Sequence, residues 1–374
     1  MASCCAERGL YAMGDTLRGL VLAGGTGSRL RPLTYTRSKQ LLPVANRPIL
    51  FYAIEALVAA GITEVGVVVG DTAREIEAAV GRGSQFGCRI TYIPQAAPLG
   101  LAHAVAVSAP FLDGHPFLMY LGDNLLKGGV SDFARRFREA DWDAGILLTA
   151  VPHPEHFGVA VVDDRTGGVV RLVEKPAVPP SNWALVGVYL FRPVIFDVVH
   201  GLTPSARGEL EITDALQQLL DRGRSVHAER VQGWWKDTGK PEDLLEANRL
   251  VLEDLSPQRA AGAQVDDESQ VSGRVVLSDG VVVRRSTLRG PVVLGPGTVV
   301  EDSFIGPFTS LGSGVRVRHT EIENSIVLAD AVLDDVPGRI DGSLLGQGTR
   351  VTRRRTAPHA LTLVTGDHCL VEVL

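Results

Sequence analysis

A glycine-rich turn followed by two cations is the part of this sequence best suited to chemistry. Gly24, Gly25 and Gly27 stand just after a short apolar run, and Arg29 and Lys39 follow them. Glycines let a backbone approach an anion closely because no Cβ intervenes, and successive N–H groups can then point at phosphate oxygens. The two cations would offset charge on the same phosphates. This spacing predicts a binding site for a nucleoside triphosphate.

Two familiar phosphate-binding motifs do not account for the turn. A P-loop would close with Gly-Lys-Ser/Thr, whereas Ser28 and Arg29 occupy those positions. A dinucleotide fingerprint would need a third glycine, and the position counted from Gly25 holds Leu30. A glycine-rich turn can also be a tight connection with no ligand, so the rest of the chain has to decide.

Two aspartates follow predicted strands further along the chain. Asp123 comes after the apolar run 117–121, and Asp237 lies in the string Trp235-Lys236-Asp237. Mg²⁺ in phosphoryl chemistry is commonly held by one or two carboxylates together with substrate phosphates. The pair therefore predicts a Mg²⁺ site, although each aspartate could instead form a turn or cap a helix.

The elements that must position these residues alternate between strand and helix from residue 17 to about 250. Strands are predicted over 17–23, 64–69, 90–93 and 117–121, with helices between them. Such alternation is typical of βαβ units in a mostly parallel sheet, which binds ligands at the carboxyl ends of its strands. Three strands between residues 158 and 191 predict a mixed-sheet insertion.

A six-residue period begins near residue 275. Seven of the eight positions in step are large and aliphatic, and the set is Val275, Val281, Thr287, Val293, Val299, Ile305, Leu311 and Val317. A period of this kind predicts a left-handed parallel β-helix, with one residue of each short strand pointing inward. A small antiparallel β domain is the alternative. The open edges of a β-helix favour coverage by another subunit, so we expect a homo-oligomer, a dimer or a tetramer.

Composition excludes several classes of function. The net charge of −6 disfavours nucleic acid as a partner, since that role needs a basic surface. The four cysteines have no metal-binding spacing, which favours reduced thiols in a cytoplasmic protein. No apolar stretch reaches the roughly 18 residues of a membrane span, so we expect no membrane partner.

Taken together, these strings resemble one family, the sugar-1-phosphate nucleotidyltransferases, and within it the glucose-1-phosphate thymidylyltransferases. The matching segments are 22–32, 38–43, 94–102, 121–124, 174–176, 207–214 and 235–239. The resemblance implies an α/β fold, with a Rossmann-like mixed, mostly parallel sheet flanked by helices and a C-terminal left-handed parallel β-helix. The predicted organisation is a disordered extension over 1–16, a nucleotidyltransferase domain over 17–255, a linker over 256–272 and the β-helix over 273–374.

The resemblance also implies roles for individual residues. The catalytic set it implies is Arg29, Lys39, Asp123 and Lys175. The nucleotide-binding set is Leu22, Ala23, Gly24, Gly25, Thr26, Gly27, Gln95, Gly100 and Asp123. The sugar-phosphate set is Gly158, Glu174, Lys175, Leu185, Tyr189 and Arg207, and the metal ligands are Asp123 and Asp237.

The implied reaction joins dTTP and glucose-1-phosphate to give dTDP-glucose and pyrophosphate, with Mg²⁺ as cofactor. It would be a first step toward deoxysugars of a secondary metabolite, because the long form with a β-helix resembles enzymes of actinobacterial antibiotic-sugar pathways. Short members of the family usually carry an acidic residue where this chain has Leu99, which leaves the choice between dTTP and UTP open.

Other functions stay possible on the sequence alone. A uridylyltransferase or guanylyltransferase would share the same motifs, and a β-helix tail can carry a second, acyl-transferring activity. A regulatory paralogue that binds sugar nucleotides without reacting would be expected to lose a metal-binding aspartate or a phosphate-binding cation. Arg29, Lys39, Asp123, Lys175 and Asp237 are all present.

Overall fold

The computed structural model describes residues 16–163 and 165–353. The predicted extension over 1–16 lies outside this part except for Thr16, and so does the end of the β-helix region after residue 353. Two compact units divide the described chain. The first contains the residues up to Thr26, Ser38–Leu41 and Ile49–Asp237, and the second contains Gly27–Arg37, Leu42–Pro48 and the residues from Thr238 onward.

Helices and strands alternate through the first two thirds of the chain, as predicted. The helices are α1 (Ile49–Ala59), α2 (Ala73–Val80), α3 (Leu101–Val107), α4 (Ala109–Leu112), α5 (Ser131–Glu139), α6 (Phe196–Val199), α7 (Ile212–Asp221) and α8 (Pro241–Asp254). Short 3-10 helices cover Ser28–Leu30, Leu33–Tyr35, Lys39–Leu41, Ser84–Phe86, Pro154–His156 and Pro193–Ile195. Among the described residues, no helix combines the length and the apolar character needed to cross a membrane.

The strands of this part are β1 (Arg18–Leu22), β2 (Pro43–Val44), β3 (Arg47–Pro48), β4 (Glu64–Val69), β5 (Arg89–Pro94), β6 (Phe117–Leu121), β7 (Asn124–Leu126), β8 (Ala144–Ala150), β9 (Gly158–Val162), β10 (Val169–Glu174), β11 (Trp183–Phe191), β12 (Val226–Arg230) and β13 (Trp235–Asp237). They are followed by β14 (Gln258–Arg259), β15 (Gln264–Val265), β16 (Gln270–Ser272), β17 (Val275–Leu277), β18 (Val282–Arg284), β19 (Thr287–Arg289), β20 (Val292–Leu294), β21 (Val299–Glu301) and β22 (Phe304–Ile305). The remaining strands are β23 (Thr309–Leu311), β24 (Arg316–Arg318), β25 (Glu321–Ile322), β26 (Ile326–Val327), β27 (Val332–Asp334), β28 (Arg339–Ile340), β29 (Leu344–Leu345) and β30 (Arg350–Thr352).

The first unit is built on one mixed sheet with the order β10-β9-β11-β6-β1-β4-β5, to which β8 and β12 are added beside β11. The strands β5, β4, β1 and β6 are parallel, and β11 runs antiparallel to both β6 and β8. From β1 the chain continues to β4 on one side and later to β6 on the other. That reversal is a topological switch point, where a crevice opens at the carboxyl ends of the strands.

Both faces of this sheet are buried, which explains why its strands are continuously apolar rather than alternating. Leu20 and Val21 are neighbours on β1 and point to opposite faces, yet neither is exposed to solvent. Leu20 joins one hydrophobic cluster with α3 and α7 residues, and Val21 joins another with α1 and α5 residues. The predicted α/β fold class is confirmed, including the mixed-sheet insertion formed by β9, β10 and β11.

The second unit carries three parallel sheets, and this pattern is consistent with the predicted left-handed β-helix. Their orders are β14-β17-β20-β23-β26-β29, β15-β18-β21-β24-β27-β30 and β16-β19-β22-β25-β28. Each short strand pairs with the strand three positions later in the chain, so three successive strands form one coil.

The predicted period of six is wrong in detail. Val275 pairs with Val292, which sets the coil at 17 residues rather than 18. One step in each coil is therefore shorter by a residue. As a result Leu288 and Val300 are fully buried, whereas the predicted inward positions Thr287 and Val299 are only half-buried.

The segment 256–272, predicted as a linker, differs in the structure. It contains β14, β15 and β16, which pair with β17, β18 and β19 and so form the first coil of the β-helix. Its polar composition follows from its position, since most of its side chains are exposed on the outside of the coil. Ala263 is buried and packs in the β-helix core.

A buried amide ties together three parts of the second unit. Asn248 on α8 is fully buried, and its Oδ1 accepts hydrogen bonds from the Ala45 N–H at 2.8 Å and the Ser310 hydroxyl at 2.6 Å. Its Nδ2 donates to the Phe308 carbonyl at 3.0 Å. Because all these polar groups are satisfied, α8 and the β2–β3 turn are held firmly on the β-helix strands.

Candidate active site

The glycine turn follows β1 at the switch point of the sheet. The Ala23 N–H donates to the Val68 carbonyl at 2.8 Å, so the turn begins as a continuation of the sheet. A Cβ added at Gly24 would lie 3.4 Å from Gln95 Oε1, and one added at Gly25 would lie 3.3 Å from Gln40 Nε2. The turn therefore has two side-chain amides beside it, and there is little room for a side chain of its own.

The end of β6 lies directly against the end of β1. The Gly122 N–H donates to the Leu22 carbonyl at 2.9 Å, and an added Cβ at Gly122 would come within 2.9 Å of that same oxygen. A glycine is therefore required before Asp123. The Oδ2 of Asp123 forms an ion pair with Nζ of Lys39, a lysine that is only 8% exposed.

The ionisation of Asp123 depends on that lysine. Burial by itself would raise the pKa of Asp123, but the Lys39 ammonium group and the Asn124 amide lower it below its ordinary value. The carboxylate is therefore charged at neutral pH. Lys39 and Asp123, both predicted as catalytic, are brought together across 84 positions of sequence (123 minus 39).

Asp237 lies beside the same carboxylate. The strands β13 and β7 pair antiparallel, with Asp237 opposite Asn124. Asn124 donates from Nδ2 to Asp123 Oδ1 at 2.8 Å and accepts at Oδ1 from the Trp235 indole N–H at 2.7 Å. The two predicted metal ligands thus flank one asparagine, which fixes the orientation of the first.

This donor set fits a magnesium ion. Mg²⁺ prefers oxygen ligands and usually takes only one or two of them from carboxylates, with phosphates and water completing its coordination. Among the described residues, no group of three or more His, Cys, Asp or Glu side chains is arranged to hold a metal ion. A metal at Asp123 and Asp237 would therefore need substrate oxygens.

Gln95 and Gly100 form the next part of the crevice. The Gln95 side chain donates from Nε2 to the Gly100 carbonyl at 3.3 Å, and the same nitrogen lies 2.9 Å from His103 Nδ1. Gly100 has a φ of 106°, and an added Cβ would lie 2.4 Å from the Leu210 carbonyl oxygen. The loop before α3 is therefore packed tightly against the segment that leads into α7.

The predicted sugar-phosphate residues gather around Glu174 at the end of β10. Its carboxylate accepts from the Thr213 hydroxyl at 3.0 Å and lies 3.9 Å from Lys175 Nζ and 3.5 Å from Arg207 Nη2. Burial raises the pKa of Glu174, against the lowering effect of the Thr213 hydrogen bond and the two cations. A cavity of about 770 Å³ is lined by Glu174, Lys175, Arg207 and Glu211 among others.

Gly158 completes this group because it leaves space at the base of the pocket. An added Cβ would come within 2.6 Å of Thr213 Cγ2 and 3.1 Å of Glu174 Oε2, with Leu185 Cδ1 at 3.7 Å. Tyr189 lies deeper and is only 3% exposed. Burial raises its pKa, with a further contribution from the Glu174 charge.

An aromatic pair connects the carboxylate pair with the sugar-phosphate residues. The Phe157 and Trp235 rings meet edge to face with centroids 5.5 Å apart. Trp235 donates to Asn124 beside Asp123, and the Phe157 carbonyl accepts from the Lys175 N–H at 3.0 Å. The predicted residues of the first unit thus form a connected series of contacts along one side of the sheet.

Two predicted residues belong to the second unit and are described there. Gly27 has a φ of 65° before the 3-10 helix Ser28–Leu30, and its carbonyl accepts from the Thr34 hydroxyl at 2.8 Å. Arg29 lies on that helix with its side chain exposed. Their assigned roles stay predictions.

Sequence reasoning missed several residues that contact the predicted ones. They are Gln40, Asn124, His103 and Thr213. Gln40 and Asn124 are direct neighbours of Lys39 and Asp123 in the motifs, which was a usable signal. The contacts of His103 and Thr213 arise from helix packing and have no local sequence signature.

The sheet switch point, the glycine turn and the paired carboxylates are features of an enzyme that acts on nucleotide phosphates. The chain belongs to the nucleotidyl transferase family, whose profile matches residues 18–254.

Similar proteins extend the match to nearly the whole chain. A glucose-1-phosphate thymidylyltransferase of Streptomyces griseus is 54% identical over 357 residues, covering 96% of this chain and 99% of that protein. The protein of the same name from Streptomyces antibioticus is 51% identical over 358 residues, again covering 96% and 99%. A low-salt glycan biosynthesis nucleotidyltransferase of Haloferax volcanii is 49% identical over 356 residues. The predicted family resemblance is confirmed.

Two solved structures share the fold of the catalytic part. A Bacillus anthracis protein assigned as a glucose-1-phosphate thymidylyltransferase, in complex with a sucrose, has a TM-score of 0.60 and 35% identity, covering 65% of this chain and 98% of its own. A UDP-glucose pyrophosphorylase complexed with UDP-glucose has a TM-score of 0.59 and 25% identity, covering 64% and 99%.

Proposed function

We propose that this protein transfers the thymidylyl group of dTTP to glucose-1-phosphate, giving dTDP-glucose and pyrophosphate. The observation that carries the proposal is the buried Lys39–Asp123 pair beside the glycine turn, with Asp237 next to it. The names of the two Streptomyces relatives, which match over almost their whole length, support the same reaction.

The reaction is an in-line substitution at phosphorus. A phosphate oxygen of glucose-1-phosphate forms a bond to the α-phosphorus of dTTP, and the bond from that phosphorus to the bridging oxygen of the β-phosphate breaks. Pyrophosphate leaves with that electron pair. The sugar phosphate is already ionised at neutral pH, so the reaction needs no general base, and positioning and electrostatics supply the catalysis.

The main obstacle is repulsion between the two anionic reactants. Lys39 would offset charge on the triphosphate, and Lys175 and Arg207 would offset charge on the sugar phosphate. Glu174 would accept hydrogen bonds from sugar hydroxyls. Asp123 and Asp237 would hold Mg²⁺, which when bound supplies positive charge to the phosphate oxygens of the nucleotide.

A uridylyltransferase activity is the second candidate. A UTP–glucose-1-phosphate uridylyltransferase of Haloferax volcanii is 38% identical over 242 residues, or 64% of this chain. Thymine and uracil differ by one methyl group, and such a difference is worth only about 1–3 kcal/mol in a binding pocket. The two activities therefore share one site and differ in preference.

A nucleotide panel tests the proposal. Pyrophosphate release is measured with dTTP, UTP, CTP, GTP and ATP, each with glucose-1-phosphate, galactose-1-phosphate and mannose-1-phosphate, with and without Mg²⁺. We expect the highest kcat/KM for dTTP with glucose-1-phosphate and no turnover without the metal. Higher kcat/KM with UTP would establish the second candidate, and no turnover with any pair would refute both.

We further propose a cytoplasmic homo-oligomer, a dimer or a tetramer, that supplies dTDP-glucose for deoxysugars of a secondary metabolite. The scattered cysteines support a reducing compartment. The β-helix strands offer edges that a second subunit could cover. Sedimentation of the purified chain would measure its oligomeric state.

A further inference from the structure

The orientation of the Gln95 side-chain amide is set by groups that leave it no alternative. The Gly100 carbonyl lies 3.3 Å from one end of this amide, and a carbonyl oxygen can only accept a hydrogen bond. The nitrogen of the amide must therefore face Gly100. Backbone contacts hold both partners in place, since the Gln95 N–H donates to Val69 at 2.8 Å and Gly100 packs against Leu210.

His103 occupies the second hydrogen of that nitrogen. Its Nδ1 lies 2.9 Å from Gln95 Nε2, and because the amide nitrogen is a donor, the ring nitrogen is the acceptor. His103 is the third residue of α3, and its ring reaches back from the helix to the end of β5. Both N–H groups of Gln95 are then engaged by protein.

The oxygen of the amide is consequently turned toward the glycine turn. Gln95 Oε1 is the atom that an added Cβ at Gly24 would meet, at 3.4 Å. This side of the crevice is where the proposed function places the nucleotide. Gln95 therefore presents an acceptor, and no donor, to whatever base lies beside it.

We propose that His103 is a positioning residue that selects the base of the nucleotide by fixing the amide orientation of Gln95. A pyrimidine with a hydrogen on N3, such as thymine or uracil, can donate to Gln95 Oε1. Cytosine carries a lone pair at N3, so it would face that oxygen with like polarity. Without His103 the amide could adopt other orientations, and its discrimination would fall. This inference rests on the proposed function, because it assumes that the base lies at Gln95.

A matched pair of variants tests it. In His103→Asn, Oδ1 is separated from Cα by the same number of bonds as Nδ1 of histidine and keeps an acceptor there. In His103→Leu a methyl group takes that place and the acceptor is lost. We expect His103→Leu to raise KM for dTTP about tenfold with kcat little changed, and to narrow the preference for dTTP over CTP by a similar factor. His103→Asn should restore most of both values.

A nucleotide analogue separates this role from a purely structural one. dTTP methylated at N3 has no hydrogen to donate, so the wild-type protein and His103→Leu should use it equally poorly. Val107→Ala is the control, since it perturbs α3 packing one turn further on without touching Gln95; it should lower the thermal midpoint and leave KM unchanged.

Equal kinetic constants for His103→Asn and His103→Leu would overturn the inference. So would a loss in His103→Leu that persists with the methylated analogue, or one confined to kcat. A wild-type protein that shows no preference for dTTP or UTP over CTP would refute the proposed function itself, which distinguishes the two failures.

Discussion

The sheet unit and the β-helix place their charged side chains in opposite ways. At the end of β6, Lys39 and Asp123 pair in a buried position. In the β-helix the ion pairs lie outside and join successive coils, as Arg285 does with Asp302 and Arg318 with Asp334. The interior of the β-helix instead holds a column of aliphatic residues.

This difference separates function from stability. A buried ion pair loses much of its attraction to the cost of desolvating both charges, so it is weak evidence for a stabilising role. The Lys39–Asp123 pair is better understood as prepared charge for anionic ligands. In the β-helix, apolar burial provides stability and exposed pairs contribute little.

The largest effect should come from neutralising the buried carboxylate. Asp123→Asn keeps the shape of the side chain but removes its negative charge, so we expect turnover to fall on the order of a thousandfold while the chain still folds. Pyrophosphate release at saturating Mg²⁺ and substrates, with circular dichroism to monitor the fold, measures this. Asp132→Asn on α5 is the control, because its side chain is 80% exposed. Near-normal turnover of Asp123→Asn would remove Asp123 from the metal site.

An intermediate effect, on stability alone, should follow from a cavity in the β-helix. Ile305 is fully buried in its core. Ile305→Ala should lower the free energy of unfolding by about 2–5 kcal/mol and leave turnover per folded molecule unchanged at 25 °C. Urea unfolding followed by circular dichroism is the measurement, with Val271→Ala, at a residue that is 44% exposed, as control. A fall in turnover without a change in stability would contradict the separation drawn above.

The smallest effect should come from the exposed pairs between coils. Arg318 donates two hydrogen bonds to Asp334, each 2.8 Å long, and its side chain is 56% exposed. Solvent and salt screen such a pair, so Arg318→Gln should leave the unfolding midpoint unchanged within error at both low and high salt. A clear salt-dependent loss would show that the outer pairs act as a cooperative network.

Local patterns in the sequence were sufficient for the elements of both regions. Apolar runs marked β1, β4 and β6, and a helix was expected where α3 begins at Leu101. The polar first coil was mistaken for a linker, because a coil with few inward side chains has the composition of a loop. The coil length of 17 residues was also missed, since a five-residue step beside two six-residue steps looks like a regular period over a short stretch.

The sequence by itself determined the family, the order of the elements and the residue types that phosphate and magnesium chemistry requires. It did so because glycines, cations and carboxylates at strand ends follow from short-range pattern. Only the tertiary structure decided which side chains meet: Lys39 with Asp123, Trp235 with Asn124, and His103 with Gln95. The reason is physical, since these contacts depend on how strands pair and helices pack between segments, and no local spacing encodes that geometry.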